Sequence, residues 1–451
     1  MQARTRDMTQ GSPLKLILFF ALPIIAGNLF QQLYSLVDTL VVGRVEGVAA
    51  LAAVSSAGWL DWMVLSLAIG LAQGFAIEIA QRFGAGDVPA LRRAAGQSLL
   101  LAAGITVLLM VLSQIFLYPL LVLLNTPQDT IRLTELYLRI IFAGIPLVMG
   151  FNLFSGFLRS VGDSRTPLVA MTSAALCNIM LDILFVALFR WGVAGVAIAT
   201  VSSQAVSCLI CLVALIRLPI MHIERSDLRA DMPVMRRLLT LGLPVAFQNL
   251  IISVGGLVLQ AVINGFGFLF MAGVNAATRL TGLLELAGTS IGSAMGTFAG
   301  QNLGAGKTDR IRQGLRTSAQ IAFAIAVVMG ICTTVFSRPL LSLFVEDDPA
   351  VVEQVLLYGS RYLTVASIGL PMLYLLFVYR STLQGLGDTM IPMASGFVEL
   401  AMRIGCVVLL PMLIGEWGVY IAEIMAWIGA ALLLIWGYYR RMKHLEQFGR
   451  L

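Results

Sequence analysis

Polar residues inside apolar stretches are the features of this sequence best suited to ion chemistry. Asp38 lies one helical turn after Tyr34, and Asn178 and Asp182 also stand four residues apart. Residues four apart share one face of a helix, so each pair projects its polar groups to the same side. Thr200 adds a hydroxyl from a further apolar stretch. Two carboxylates with neutral oxygens form a hard-oxygen site that suits a small cation.

These residues support two kinds of ion chemistry and one structural alternative. With a metal, the side chains of Asp38, Asn178, Asp182 and Thr200 would ligate Na⁺. Without one, two crowded carboxylates do not both ionise readily, so one should carry a proton. Ionisable groups are costly in a bilayer and usually face a bundle interior or a cavity. A hydrogen-bonded polar cluster that only joins the helices is the alternative, and the sequence leaves it open.

The composition places these residues in a membrane. Of 451 residues, 59% are hydrophobic and 12% charged, and the mean hydropathy is +0.90. A soluble domain is about half apolar and about a quarter charged, so the surplus apolar surface must face lipid. The net charge of +6 does not indicate a nucleic-acid partner, because the basic residues fall in short clusters between apolar segments, as orientation signals do.

Twelve segments are long and apolar enough to cross a bilayer, which takes about 20 residues. The sequence therefore predicts an all-α integral membrane protein, with its first apolar run retained as a helix because it outlasts a signal core. The predicted segments are 14–43, 52–80, 96–123, 134–158, 166–188, 193–216, 239–264, 272–300, 314–344, 354–382, 391–414 and 418–438.

The polar segment 217–238 divides the chain into two six-helix halves, 1–216 and 239–451. Cytoplasmic connectors retain Lys and Arg. Most basic residues lie in this segment, at both chain ends, and in the alternate connectors that are on the same side of the membrane as these. We expect both termini to be cytoplasmic, the chain to lie as a multi-pass protein in the cytoplasmic (inner) membrane, and the segment after 438 to form a cytoplasmic tail.

The two halves repeat the same motifs at a nearly constant offset. Gly84-Ala85-Gly86 recurs as Gly304-Ala305-Gly306, and Trp191-Gly192-Val193 recurs as Trp417-Gly418-Val419. The matched motifs, which also include Leu22-Pro23 with Leu243-Pro244 and Gly162-Asp163 with Gly387-Asp388, lie 220 to 226 residues apart. Because six helices is an even number, the repeats share orientation, which predicts two pseudo-symmetric bundles.

The acids themselves are not repeated. Leu259 and Val407 occupy the offsets that match Asp38 and Asp182, so the fold alone does not require carboxylates there.

Further polar residues are candidates for lining a substrate cavity. Asp61, between Trp59 and Trp62, is equally consistent with a cavity and with an aromatic belt at the membrane surface. The remaining candidates, for which packing is the alternative, are Asn28, Tyr34, Tyr137 and Asn152.

The second half offers charges without a predicted role. Glu399 and Arg403 stand four apart, which favours a local ion pair over substrate binding. Glu285 and Arg380 have no partner that the sequence identifies.

The chain has five cysteines, which are Cys177, Cys208, Cys211, Cys332 and Cys406. They lie in apolar stretches and indicate neither disulfides nor zinc. We expect no cofactor.

The sequence resembles the multidrug and toxic compound extrusion (MATE) family, in particular its prokaryotic DinF-like branch. The resemblance covers nearly the whole chain. The runs that carry it are 33–39 (LYSLVDT), 158–167 (LRSVGDSRTP) and 178–185 (NIMLDILF). It implies a V-shaped pair of six-helix bundles around a central cavity (the fold of the MOP superfamily). It also implies alternating access and efflux of small amphipathic, often cationic compounds against H⁺ or Na⁺.

The resemblance also implies where coupling occurs. Asp38, Asn178, Asp182 and Thr200 match the ion site that the DinF-like branch holds in its N-terminal bundle. NorM-like members carry an acidic residue in the seventh helix, and none stands between Leu239 and Phe266. We expect a monomer whose partners are organic substrates and membrane lipid.

Three other functions compete with this interpretation. A lipid-linked oligosaccharide flippase, a relative of similar organisation, should line its cavity with Arg or Lys, whereas this N-terminal half offers acids. An intramembrane enzyme is disfavoured because the sequence contains no HExxH and no paired histidines. A channel is the third alternative, but two repeated six-helix halves fit a transporter with alternating access better.

Overall fold

The computed structural model describes residues 5–45, 48–123, 126, 128–344 and 348–448, and no β-strand occurs among them. The helices are α1 Pro13–Val45, α2 Val48–Ala85, α3 Val88–Leu123, α4 Gln128–Ala143, α5 Ile145–Ser160, α6 Arg165–Asp182, α7 Gly192–Ile216, α8 Met232–Asn264, α9 Phe268–Gly304, α10 Thr308–Val335, α11 Ser337–Ser342, α12 Pro349–Gly385, α13 Met390–Ile414 and α14 Trp417–Phe448. A π-helix, Ile183–Leu188, continues α6, and a short 3₁₀ turn, Pro219–Met221, follows α7.

The helices confirm an all-α membrane protein. Ten of those in the described ranges are long and apolar enough to cross a bilayer, and eleven if α4 and α5 together form one span. These two helices are bent by 44°, at Gly144 and just before Pro146, which has no backbone N–H to donate. Helix α9 is 37 residues long but carries Asn275, Arg279 and Glu285, and it is not among the ten.

The chain forms two compact units. The first comprises the described residues of Met1–Asp7 and Leu22–Ala246; the second comprises Met8–Ala21 and Phe247–Leu451. The division falls inside α1 and α8, next to the repeat-matched prolines Pro23 and Pro244. The segment 217–238 lies entirely within the first unit.

In that unit, the connector docks on the start of α3 through a buried glutamine. The Gln97 amide donates to the carbonyl oxygens of Asp227 and Arg229 at 2.7 and 2.8 Å, and its oxygen accepts from the Asp231 N–H at 3.0 Å. Arg93 also pairs with Asp231 at 2.9 Å. Gly96 allows this approach, because a Cβ there would stand 2.5 Å from the Asp227 carbonyl oxygen.

The repeated motifs adopt matching turns in the two units. Gly162 and Gly387 both have positive φ, +90° and +75°, a region that glycine enters without steric cost. In each turn the following aspartate accepts from the first turn of the next helix. Asp163 accepts from the Thr166 N–H at 3.0 Å, and Asp388 accepts from the Ile391 N–H at 3.2 Å.

Candidate ion-binding site in the first unit

Close packing of α1 on α6 positions the predicted acids. Gly27 lies against α6, where an added Cβ would stand 2.9 Å from the Met171 sulfur. Eleven residues separate Gly27 from Asp38, and eleven also separate Met171 from Asp182. Because eleven residues make about three helical turns and about 16 Å of rise, two helices running side by side bring these carboxyl groups to the same level on facing sides.

The structure brings the four predicted ion-site residues together. The Asp38 side chain interacts with those of Asp182, Asn178 and Thr200. Asn178 and Asp182 are fully buried, whereas Asp38 is half-buried. These residues come from α1, α6 and α7, so the site joins three helices of one unit.

Several polar atoms of this cluster have no hydrogen-bond partner within the described residues. They are one carboxylate oxygen of Asp38, both carboxylate oxygens of Asp182, and the amide oxygen and nitrogen of Asn178. Thr200 donates its hydroxyl to the Val196 carbonyl at 3.0 Å, which leaves its lone pairs available. Buried polar atoms are normally paired, so this donor set can accept a proton or coordinate a small cation.

The helix changes character directly after the site. Asp182 ends α6, and the next turn is the π-helix, a form that often marks functional sites. Phe185 of the π-helix stacks on Trp191 with centroids 4.8 Å apart, and a Cβ on Gly195 would stand 3.2 Å from both side chains. Sequence reasoning missed the π-helix, because the segment 183–188 is simply apolar.

Three of the cavity candidates surround the acids. Tyr137 is buried and lies within electrostatic range of Tyr34, Asp38, Asp61 and Asp182. One oxygen of the Asp61 carboxylate is buried without a hydrogen-bond partner in the described part of the chain. Asp61 therefore belongs to the same acidic environment as Asp38.

Tyr34 also lines a small cavity with Gln31, Met171 and Ser203. The two remaining cavity candidates, Asn152 and Asn28, have less distinctive surroundings. Asn152 donates its side-chain amide to the Val148 carbonyl of its own helix at 2.8 Å. Asn28 is half-buried in α1.

In the second unit, the sequence-predicted Glu399–Arg403 pair is part of a larger buried network. Glu399 accepts from Arg380 at 2.8 Å and from Arg403 at 3.0 Å. Arg403 also approaches Glu423 at 3.5 Å, and the Tyr362 hydroxyl donates to Glu423. Sequence reasoning identified neither Glu423 nor the partner of Arg380, because residue spacing does not show which side chains of neighbouring helices meet.

Glu285 lies within electrostatic range of three members of this network, Glu423, Glu399 and Arg403. In the second unit, the positions that correspond to Asp38 and Asp182 hold apolar residues. Leu259 and Val407 are buried together in one apolar cluster of the second unit. The described residues contain no group of three or more His, Cys, Asp or Glu placed to hold a metal ion.

A sequence model of the MatE family matches residues 23–184 and 244–408. The chain belongs to the MatE family. This confirms the family expected from the motifs, whereas the DinF-like branch stays a prediction.

Individual MatE relatives are similar over most of the chain. The probable multidrug resistance protein YoeA of Bacillus subtilis is 29% identical over 465 residues, covering 99% of this chain and 98% of that protein. An FAD transporter of Shewanella oneidensis is 30% identical over 352 residues, covering 76% and 77%. A solved outward-facing MATE transporter of the MOP superfamily has a TM-score of 0.92 at 23% identity and covers 99% of this chain and 100% of that one. This last likeness establishes the fold.

Proposed function

We propose that this chain is a secondary active multidrug exporter that moves small amphipathic or cationic compounds out of the cell against inward H⁺ or Na⁺. Its family and relatives are transporters, which supports transport rather than catalysis. The proposal places it as a monomer in the cytoplasmic membrane, with both termini inside and with 1–216 and 239–451 as its two halves.

One observation carries the coupling part of this proposal. Asp38, Asn178, Asp182 and Thr200 converge inside an apolar bundle, with buried oxygens that no described residue satisfies. Two bare carboxylates in a low-dielectric interior repel each other. A proton shared by them, or a Na⁺ held by their oxygens and those of Asn178 and Thr200, would remove that repulsion.

Coupling follows if the loaded and empty forms of this cluster favour different states of the transporter. A ligand shifts a conformational equilibrium only by its differential affinity for the two states. The cation would bind preferentially to the state in which Asp38 and Asp182 lie together. The substrate would bind preferentially to the other state. Asp61, Tyr34 and Tyr137 adjoin the acids and are proposed, with Asn28 and Asn152, to contact the substrate.

The decisive experiment is efflux from proteoliposomes under separately imposed Na⁺ and proton gradients. A cationic dye should be exported under at least one gradient. Absence of export under both would contradict the proposal. The panel should include FAD, which is the cargo named for the Shewanella relative, and an undecaprenyl-linked sugar, whose movement would favour the flippase. Counterflow in the same vesicles separates a carrier from a channel.

A further inference from the structure

A groove of about 880 Å³ lies on the second unit, where α10 and α14 both pack against α12. Helices α10 and α14 form its walls, and Leu375 and Tyr379 of α12 lie at its floor. We refer to it as the α10–α14 groove. It is separate from the buried Glu399 network, none of whose residues lines it.

One end of the groove is basic. Arg312 and Arg316 come from the first turns of α10, and Lys443 and Glu446 come from the last turns of α14. Arg312 pairs with Glu446 across the groove and lies 3.4 Å from Asp309. Arg316 and Lys443 form no ion pair with any described residue. The groove therefore holds two uncompensated positive charges.

The other end of the groove is apolar. Ala319 and Phe323 follow on the same wall of α10, and eleven residues from Arg312 to Phe323 span about 16 Å. Half of the Phe323 side chain is exposed. The groove is thus charged at the helix ends and apolar towards the middle of the bundle. Its length matches the depth of a lipid headgroup and the first segments of its acyl chains.

A buried tyrosine whose hydroxyl has no hydrogen-bond partner within the described ranges is among the residues that line the groove. Tyr438 is only 3% exposed, it lines the groove, and its hydroxyl has no hydrogen-bond partner among the residues described. Its ring meets that of Tyr379 edge-on, with centroids 5.6 Å apart. Arg312 lies within electrostatic range of it. A buried donor normally has an acceptor, and a phosphate oxygen is a strong one.

We propose that the α10–α14 groove binds an anionic diacyl phospholipid. Its phosphate lies between Arg316 and Lys443, an oxygen of the headgroup region accepts from the Tyr438 hydroxyl, and an acyl chain follows Phe323 and Leu375. Basic pockets between helices at a membrane surface select anionic headgroups in this way. A soluble anion would use only the basic end and would leave the apolar end uncovered.

The test measures lipid binding to the purified full-length protein in detergent, independently of transport. Dioleoyl-phosphatidylglycerol is titrated while thermal stability and lipid adducts in native mass spectrometry are followed, with dioleoyl-phosphatidylcholine in parallel. We expect the anionic lipid to raise the melting temperature and to form a one-to-one adduct. The zwitterionic lipid, which has the same chains, should do neither. Equal effects of both lipids would overturn the proposal.

Substitutions of the groove residues test which side chains bind the lipid. Arg316→Gln with Lys443→Gln should weaken phosphatidylglycerol binding by at least about tenfold, and Tyr438→Phe should weaken it less. Arg440→Gln is the matched control, because Arg440 is an exposed arginine of α14 that lies over the Trp436 ring outside the groove, and it should bind as the unmodified chain does. The lipid-free melting temperature of each variant reports folding separately. Unchanged binding in the double variant would contradict the assignment.

Two competitors identify the ligand class. Dihexanoyl-phosphatidylglycerol should bind more weakly than the dioleoyl form, because its chains are too short to fill the apolar end. Inorganic phosphate at millimolar concentration should not displace the long-chain lipid. Full displacement by phosphate would make the groove a soluble-anion site and would overturn the lipid proposal.

Discussion

Asp38 of α1 and Asp182 of α6 interact side chain to side chain within the first unit. The residues at the matching offsets of the second unit, Leu259 and Val407, are buried in one apolar cluster. The corresponding positions of the two units are therefore apolar and buried in one unit and acidic in the other. Since an apolar pair satisfies the packing, the acids of the first unit need a reason other than stability.

The first prediction concerns these carboxylates. Asp38→Asn and Asp182→Asn should each keep normal membrane expression and thermal stability, because Asn preserves shape and the site does not depend on a salt bridge. Gradient-driven efflux should fall by at least about tenfold, which corresponds to about 1.4 kcal/mol. Some substrate binding should survive. The measurement is dye efflux from proteoliposomes under each gradient.

The matched control for this prediction is Glu135→Gln. It removes a carboxylate from α4 of the same unit, where Glu135 pairs with the partly exposed Arg139 at 2.6 Å. This variant should pump normally. If Asp38→Asn pumps normally under both gradients, coupling does not run through this cluster.

The second prediction tests the helix contact that positions the acids. Gly27→Leu should push α1 away from Met171 of α6, because even a Cβ there would stand 2.9 Å from the methionine sulfur. Separating the helices should separate Asp38 from Asp182 and lower coupled efflux as strongly as the charge substitutions do. Gly104→Leu is the control, since no atom lies within 4 Å of a Cβ at Gly104. Equal efflux by the two variants would show that the packing is not required.

Local sequence patterns predicted much of this architecture. Apolar segments predicted the helices, and the four-residue spacing placed Asn178 and Asp182 on one face of α6. The repeated Gly-Asp motifs predicted no detailed geometry, yet they form matching turns in both units because glycine enters positive φ and the aspartate accepts from the next helix.

Much of what could not be predicted depends on side-chain contacts between different helices. The partner of Arg380 is Glu399 on the next helix, and nothing in their spacing indicates it. The π-helix after Asp182 has no distinctive composition, since its residues are all apolar. The bend between α4 and α5 follows from Gly144 and Pro146, yet Pro371, which matches Pro146, lies inside the unbroken α12. Proline alone therefore does not determine a break.

The third prediction concerns the buried network of the second unit. Glu399→Gln should leave Arg380 and Arg403 buried with less compensation, since Glu399 accepts from both. Breaking a buried pair by removing one partner costs about 3–5 kcal/mol, so the melting temperature in detergent should fall. Coupled efflux per folded molecule should remain largely intact. A stable variant that cannot pump would instead implicate this network in transport.

The fourth prediction concerns topology. Ser226 is exposed in the connector that docks on α3, and the basic residues of that connector predict that it lies on the cytoplasmic side. With the five native cysteines replaced, Ser226→Cys should react with an impermeant maleimide in inside-out vesicles and not in intact cells. Labelling of intact cells would reverse the orientation.

The last prediction asks whether Thr200 contributes an oxygen to the coupling ion. Its hydroxyl donates to the Val196 carbonyl at 3.0 Å, and its side chain interacts with Asp38. Thr200→Val keeps the shape of the side chain and removes that oxygen.

Loss of one ligand oxygen should raise the cation concentration for half-maximal efflux by about tenfold, or about 1.4 kcal/mol, with little change in maximal rate. Thr200→Ser retains the oxygen and should stay within about twofold of the unmodified chain on that scale. The readout is efflux rate against Na⁺ concentration at fixed pH, and against pH without Na⁺. Equal half-maximal concentrations for Thr200→Val and Thr200→Ser would show that Thr200 only packs beside Asp38. A shift confined to one of the two titrations would identify which cation the Thr200 oxygen contacts.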